Sequence, residues 1–223
     1  MRSQLDKLDS GNFETCKLID FLPFKNGIRY GTSTPPSILE KSNNTVPFVR
    51  ATDIKNGEIL TDNLLHINKS QPRKMQKCLL REGEMIVVRS GVNTGDCATV
   101  PKSLAGSYGA YDLIVRFSND VISSFVSTFL DTNIGRLQLN ILKGRSAQSH
   151  LNSEEISSII IPKPPIEIQK SLVAEIEAAR QNRKQKLAKA EELLASIDSY
   201  LLNLSIQNFV FLSRPSPPSG VRG

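Results

Sequence analysis

The sequence predicts an α+β chain. A twisted, mostly antiparallel, β-rich domain should occupy residues 1–162, a long coiled-coil helix 163–206, and a disordered tail 207–223. Three observations carry this. Short β-branched runs separated by turn residues recur up to Ile161. Pro162, Pro164 and Pro165 then impose a stiff extended step, because each ring fixes φ and disfavours helix before it. From Ile166 to Leu204 there is no Gly or Pro, and strong helix formers dominate.

Taken in order, Glu14 to Leu22 reads as a short amphipathic helix with Cys16, Leu18, Ile19 and Leu22 apolar, followed by a polar loop from Lys25 to Thr45. Val46 to Arg50 is strand-like. Asp53 to Ile59 reads as a turn between short strands, since Asn56-Gly57 readily supplies positive φ. Arg81 to Glu84 is a turn into the strand Met85–Arg89, and Ser90 to Gly95 is a glycine-bearing hairpin loop; it lacks the Lys-Ser/Thr pair of a phosphate cradle. Asp112 to Phe117 is a further strand, Ser123 to Asp131 a helix, and Ile156 to Ile161 a closing strand. Tyr108 and Tyr111 are expected to pack in the core or at its rim.

The long helix carries a seam at Val173, Ile176, Leu187, Ala190, Leu194, Ile197, Leu201 and Leu204. The steps alternate three and four once Arg180 and Arg183 fill the two missing positions, which is a heptad pattern interrupted by two arginines. At 1.5 Å per residue the helix is about 57 Å long, too long for the preceding domain to cover. The seam therefore calls for a partner helix.

Composition excludes several chemistries. The chain has 223 residues, a net charge of +6, two histidines and three cysteines. His66 and His150 are far apart, and no CxxC or HxxxH spacing offers a zinc site. Cys16, Cys78 and Cys97 do not form a disulfide framework. There is no nucleotide-binding glycine motif and no nucleophile elbow. No catalytic residue, metal or cofactor is expected. No run is long and apolar enough to span a membrane, and the start does not read as a signal peptide, so a cytoplasmic protein is expected.

Four segments in order are recognisable: Pro47 to Gly57, Gly83 to Gly91 with Gly95, Gly144 to Leu151, and Ile161 to Gln169. Ending in a Pro-Pro step, a Gln and a heptad helix, the set resembles the target recognition domain and following helix of type I restriction-modification specificity subunits, over roughly Glu14 to Leu204. Such subunits usually carry two recognition domains and two helices; this chain has one of each and resembles a half-length form. The resemblance implies a non-catalytic protein that reads double-stranded DNA and recruits a methyltransferase subunit, with participation of a restriction subunit left open.

Charge supplies a separate clue to the contacts. Asn63 to Arg81 holds no acid but contains Lys69, Arg73, Lys74, Lys77 and Arg81; Thr132 to Ser153 holds none but contains Arg136, Lys143, Arg145 and His150. Basic loops of this kind neutralise phosphates and release counterions, and Gln71, Gln76, Asn140 and Gln148 are the type of side chain that pairs with adenine. Arg50 and Arg89, each at a strand end, complete the expected DNA-contacting set of Arg50, Lys69, Arg73, Lys74, Lys77, Arg89, Arg145, Gln148 and His150. The expected partner interface is Val173, Ile176, Arg180, Arg183, Leu187, Leu194, Ile197 and Leu201. Two identical chains joined through antiparallel helices would read an interrupted palindrome. The competing reading is a coiled-coil adaptor whose globular domain binds protein; it predicts no salt-dependent duplex binding.

Overall fold

The computed structural model describes residues 13–23, 27–144 and 150–212, with 203–212 described as backbone only. The chain divides into two compact units, Met1–Glu175 and Ile176–Gly223.

The first unit is built on a four-stranded antiparallel sheet in the order β2 (Ile28–Tyr30), β10 (Leu113–Val115), β7 (Met85–Val87), β8 (Cys97–Thr99). Its two central strands, β10 and β7, read as unbroken apolar runs because both faces are covered. Met85, Val87, Leu113 and Val115 point into one core, against Phe125, Val126 and Leu130 of α1 (Ser123–Leu130), Leu139 and Leu142 of α2 (Asn133–Lys143), and Ile156 of α3 (Ser153–Ser157). Ile86, Val88, Ala98 and Ile114 point the other way, into a second core with Val49, Ile54, Leu80 and Leu104. The alternation is the period of two that a strand imposes, and it pins the register, since a one-residue slip would exchange the two faces.

A second sheet orders β6 (Leu65–Asn68), β3 (Thr45–Val49) and β9 (Tyr108–Gly109), with β3 antiparallel to β6 and parallel to β9. Its core is Phe48, Ile67, Met75, Cys78 and Tyr108. The expected turn at 53–59 joins β4 (Ile54–Lys55) to β5 (Glu58–Ile59), with φ of 54° at Asn56 and 75° at Gly57, the left-handed values this dipeptide tolerates. The Ser90–Gly95 loop is a structural turn, closed by Val88 N–H on the Asp96 carbonyl (2.8 Å) and Gly95 N–H on the Val88 carbonyl (2.8 Å).

Four expectations change. Glu14 to Leu22 is not a helix but β1 (Thr15–Lys17) followed by a 3-10 turn (Leu18–Phe21). Pairing of β1 with β11 (Ile160–Pro162), Cys16 opposite Ile161, outweighs the helix-like spacing. The polar loop 25–45 contains β2, whose Arg29 pairs with Ile114 in the main sheet. Ile156 to Ile161 is not one strand: Ile156 lies in α3, where Asn152 and Glu155 form a reciprocal capping box, and the strand starts at Ile160. The run from Thr132 is not a loop but α2, capped by the Thr132 hydroxyl accepting from Gly135 N–H.

The long helix, α4, spans Ile166–Leu212, beyond the expected end at 206; residues 213–223 lie outside the described ones. Its first turns belong to the first unit. Leu172 is buried and Ile168 and Val173 pack on the main core. Gln169 is fully buried. Its carbonyl accepts from Ile122 N–H (2.8 Å), and its amide donates to the carbonyls of Pro164 (3.0 Å) and Asp120 (3.3 Å). A buried side-chain amide with both donors and its oxygen engaged fixes direction as well as position.

Candidate nucleic-acid interface

The segment Arg73–Cys78 folds as a 3-10 helix. Three residues per turn place side chains in three rows. Met75 and Cys78 form the buried row, docked in the core with Phe48 and Ile67; burying a side chain such as Met75 contributes roughly 1.5–3 kcal/mol. The other rows, Arg73 with Gln76 and Lys74 with Lys77, are exposed. One anchored row thus presents three cations and one amide outward. No acid lies between Asn63 and Arg81 in the sequence.

The framework under this turn was not foreseen. Arg29, on β2, donates from Nε to the Lys77 carbonyl (2.7 Å) and from Nη2 to the Leu79 carbonyl (2.8 Å). The same guanidinium grips Glu84 through Nη1 (2.8 Å) and Nη2 (2.5 Å). Glu84, 2% exposed, also accepts from Arg116 Nη2 (2.7 Å), Arg116 Nε (3.0 Å) and the Arg81 N–H (2.9 Å). Burial pushes the Glu84 carboxyl up, but the bonds from Arg29, Arg116 and Arg81 more than offset it and hold it below its usual range. A sequence signal existed: Ile28-Arg29-Tyr30 is an apolar–charged–aromatic triplet inside an otherwise turn-rich stretch.

The structure brings Arg89 and His150 together, 61 residues apart in sequence. Arg89 Nη2 meets His150 Nε2, and the Arg89 carbonyl accepts from Leu151 N–H (2.8 Å). The guanidinium lies between the rings of Tyr30 (4.6 Å) and Tyr111 (4.5 Å), a stacked arrangement that fixes its plane. The Asp112 carboxylate accepts from the Arg89 backbone N–H (3.2 Å). Asp112 is 4% exposed, and burial raises its pKa to about 6 despite the bond and the charge of Arg89. Of the two tyrosines expected to pack, Tyr108 is in the core, whereas Tyr111 stacks on Arg89 with 43% of its surface exposed.

The remaining expected contacts divide. Lys69 is exposed, its Nζ on the Asn43 carbonyl (3.1 Å). Arg50 is paired within the fold: Asp53 accepts from its Nη2 (2.8 Å) and Nε (3.1 Å), raising the guanidinium pKa further. Arg136 is bound by Asp96 (2.8 Å) and Asp131 (2.6 Å), and Lys143 donates to the Thr94 carbonyl (3.4 Å). Arg145 and Gln148 lie outside the described residues.

On α4, Val173 is half-buried and packs in part on its own domain's core. Ile176 and Arg180 are half-buried and Arg183 exposed. Leu187, Leu194, Ile197 and Leu201 are all more than half exposed, together with Leu193, Tyr200 and Leu202. The apolar surface is broader than the expected seam. Leu204 falls where only backbone is described.

By fold, then, this is an α+β module with antiparallel sheets, a framework-held basic turn and a long helical extension. The chain belongs to the type I restriction modification DNA specificity domain family, whose model matches residues 11–192. It is 26% identical over 156 residues to the type I restriction enzyme EcoKI specificity subunit of Escherichia coli (strain K12), covering 69% of this chain and 30% of that protein. Its fold is similar to that of the HsdS subunit of Thermoanaerobacter tengcongensis, with TM-score 0.58, 20% identity, and 95% of this chain covered against 52% of that one. It is also similar to the type I restriction-modification S subunit from M. genitalium, with TM-score 0.54, 11% identity, and coverage of 84% and 45%. The chain spans about a third of that curated relative and about half of the two solved ones. Among the described residues, no helix is long and apolar enough to cross a membrane.

Proposed function

We propose that the chain is the DNA-reading component of a type I restriction-modification methyltransferase, catalysing no step itself. The observation that carries the reading is the Arg73–Cys78 turn: Met75 and Cys78 are buried, while Arg73, Lys74, Lys77 and Gln76 face outward. Cations on an anchored turn neutralise backbone phosphates and set register, while an amide among them reads base edges. Lys69 extends this surface, and the stacked Arg89 with His150 forms a second, more rigid contact point. Arg145 and Gln148, just before His150, join it on sequence grounds.

The apolar surface of α4 at Leu187, Leu194, Ile197 and Leu201 supports helix pairing. Its partner in this reading is a second copy of the chain, and the pair docks a methyltransferase subunit in the cytoplasm; the reading holds with or without a restriction subunit. Two-fold pairing of one recognition domain per chain calls for two identical half-sites.

The test is to co-express the chain with its cognate methyltransferase subunit and map methylated bases genome-wide. An interrupted palindrome, absent when the chain is omitted, is expected. A methylation pattern unchanged by omitting the chain contradicts the reading; two unlike half-sites contradict the pairing of identical chains alone.

A further inference from the structure

The Arg73–Cys78 turn is held at its C-terminal end in an unusual way. A short 3-10 helix has poor internal hydrogen-bond geometry, and its last carbonyls have no partners within the helix. Here Leu79 N–H bonds the Gln76 carbonyl (3.2 Å), the chain just beyond is bridged at Leu79 to Tyr108 with Leu80 N–H on the Ser107 carbonyl (2.8 Å), and Arg29 takes up the carbonyls that face the other way. The guanidinium bonds the carbonyls of Lys77 and Leu79 while bridging to both oxygens of Glu84. Glu84 in turn takes the Arg81 N–H, catching the chain just past the turn. Arg29 and Glu84 flank the main sheet, Arg29 on edge strand β2 and Glu84 beside the first residue of β7. One planar group therefore ties the Lys77 and Leu79 carbonyls to the main sheet, beside the backbone bonds that Leu79 and Leu80 make to the second.

We propose that Arg29 is a positioning residue for nucleic-acid recognition: it touches no DNA, but fixes the direction in which Arg73, Lys74 and Lys77 are presented. This rests on the reading of that turn as a DNA contact. Arginine is required because only its rigid fork reaches two carbonyls and a carboxylate at once; a lysine ammonium at the same place keeps the charge beside Glu84 but not the paired geometry. Arg116 provides the internal contrast. It binds the same Glu84 oxygen but reaches neither carbonyl, so it supports the carboxylate without directing the turn.

The experiment is a double-mutant cycle on the full chain, reading anisotropy of a fluorescein-labelled mixed-sequence duplex across a salt series. The four proteins are the wild type, Arg29→Lys, the triple variant Arg73→Ala/Lys74→Ala/Lys77→Ala, and their combination. Arg29→Lys should weaken duplex binding about fivefold and reduce the salt slope by about 1. In the triple background the same change should alter neither by more than about twofold, because the side chains it directs are gone. Arg116→Gln should lower the melting temperature and leave duplex affinity as it was. Equal weakening by Arg29→Lys in both backgrounds, or none in the wild type, overturns the positioning role while leaving the turn as a contact. A triple variant that binds like the wild type overturns the contact itself, and the positioning role with it. Lysine retains the buried counter-charge for Glu84, so the cycle does not depend on a variant that leaves the carboxylate bare.

Discussion

The windows Asn63–Arg81 and Thr132–Ser153 are alike in sequence: both lack acids, and both carry several cations among polar residues. Folding separates them. In the first, Arg73, Lys74 and Lys77 stand outward on a turn anchored by Met75 and Cys78. In the second, Arg136 is bound by Asp96 and Asp131, and His150 is drawn against Arg89. An acid-free window says nothing about acids that arrive from elsewhere in the chain. Asp96 is 40 residues from Arg136, and the two meet because α2 packs near the hairpin after β7. Charge that is paired with carboxylates inside the fold is less available to phosphate, so Arg136 should behave differently from Arg73, Lys74 and Lys77 in both stability and binding.

The largest expected difference is in pH dependence. Asp112, beside Arg89, is raised to about 6 in the fold, above the ordinary aspartate value near 4. Between those values the folded state binds more protons than the unfolded one, so this group's contribution to stability falls as pH rises from about 4 to about 6 and is level above. The fall is at most about 3 kcal/mol. Denaturant unfolding of the wild type and Asp112→Asn from pH 4 to 7 measures it: the wild type should lose stability relative to the variant across that window. A constant difference would contradict a raised Asp112 pKa in the fold. Glu84 acts in the opposite sense, since its lowered pKa contributes stability that disappears as pH falls through the folded value.

A smaller effect should follow from Arg136→Ala. It leaves Asp96 and Asp131 without their shared cation, each with about a fifth of its side chain exposed. Discounted for solvent at a group 35% exposed, the cost is about 1–2 kcal/mol. Melting should report it, whereas duplex affinity and its salt slope should stay at wild-type values. A reduced salt slope in this variant would mean that Arg136 reaches phosphate after all and would erase the contrast between the two windows.

How much of this was legible in sequence follows from which interactions are local. The Asn56-Gly57 turn, the Met85 and Leu113 strands and the long helix rest on local backbone preference or periodicity, and they read correctly. The α3 start was also legible, because Asn152 with Glu155 three residues on is a capping-box pattern, yet the β-branched residues after it pointed to a single strand. β1 and β2 were not legible. Each is three residues long and exists only through pairing with β11 or β10. The same holds for the site. The outward cations of Arg73–Lys77 were read from composition, but Arg29, Glu84, Tyr30 and Asp112 became part of it only when distant strands were laid side by side. Arg50 and Val173 show the converse, since the contacts that a strand-end arginine makes with Asp53 and a seam valine makes with the domain core are not written in local sequence pattern.

The most direct test of the central claim, that the first window is a DNA-contacting surface while Arg136 and Lys143 of the second are committed within the fold, is the salt dependence of duplex binding. Two variants of the full chain are needed: Arg73→Ala/Lys74→Ala/Lys77→Ala, and Arg136→Ala/Lys143→Ala. Binding to a labelled duplex is measured from low to moderate salt, with folding checked by circular dichroism. The triple variant should bind more weakly, and the slope of log K against log salt should flatten by up to about 3 units, close to one for each phosphate that is no longer neutralised. The double variant should keep the wild-type slope. An unchanged slope in the triple variant, or an equal flattening in both, contradicts the account.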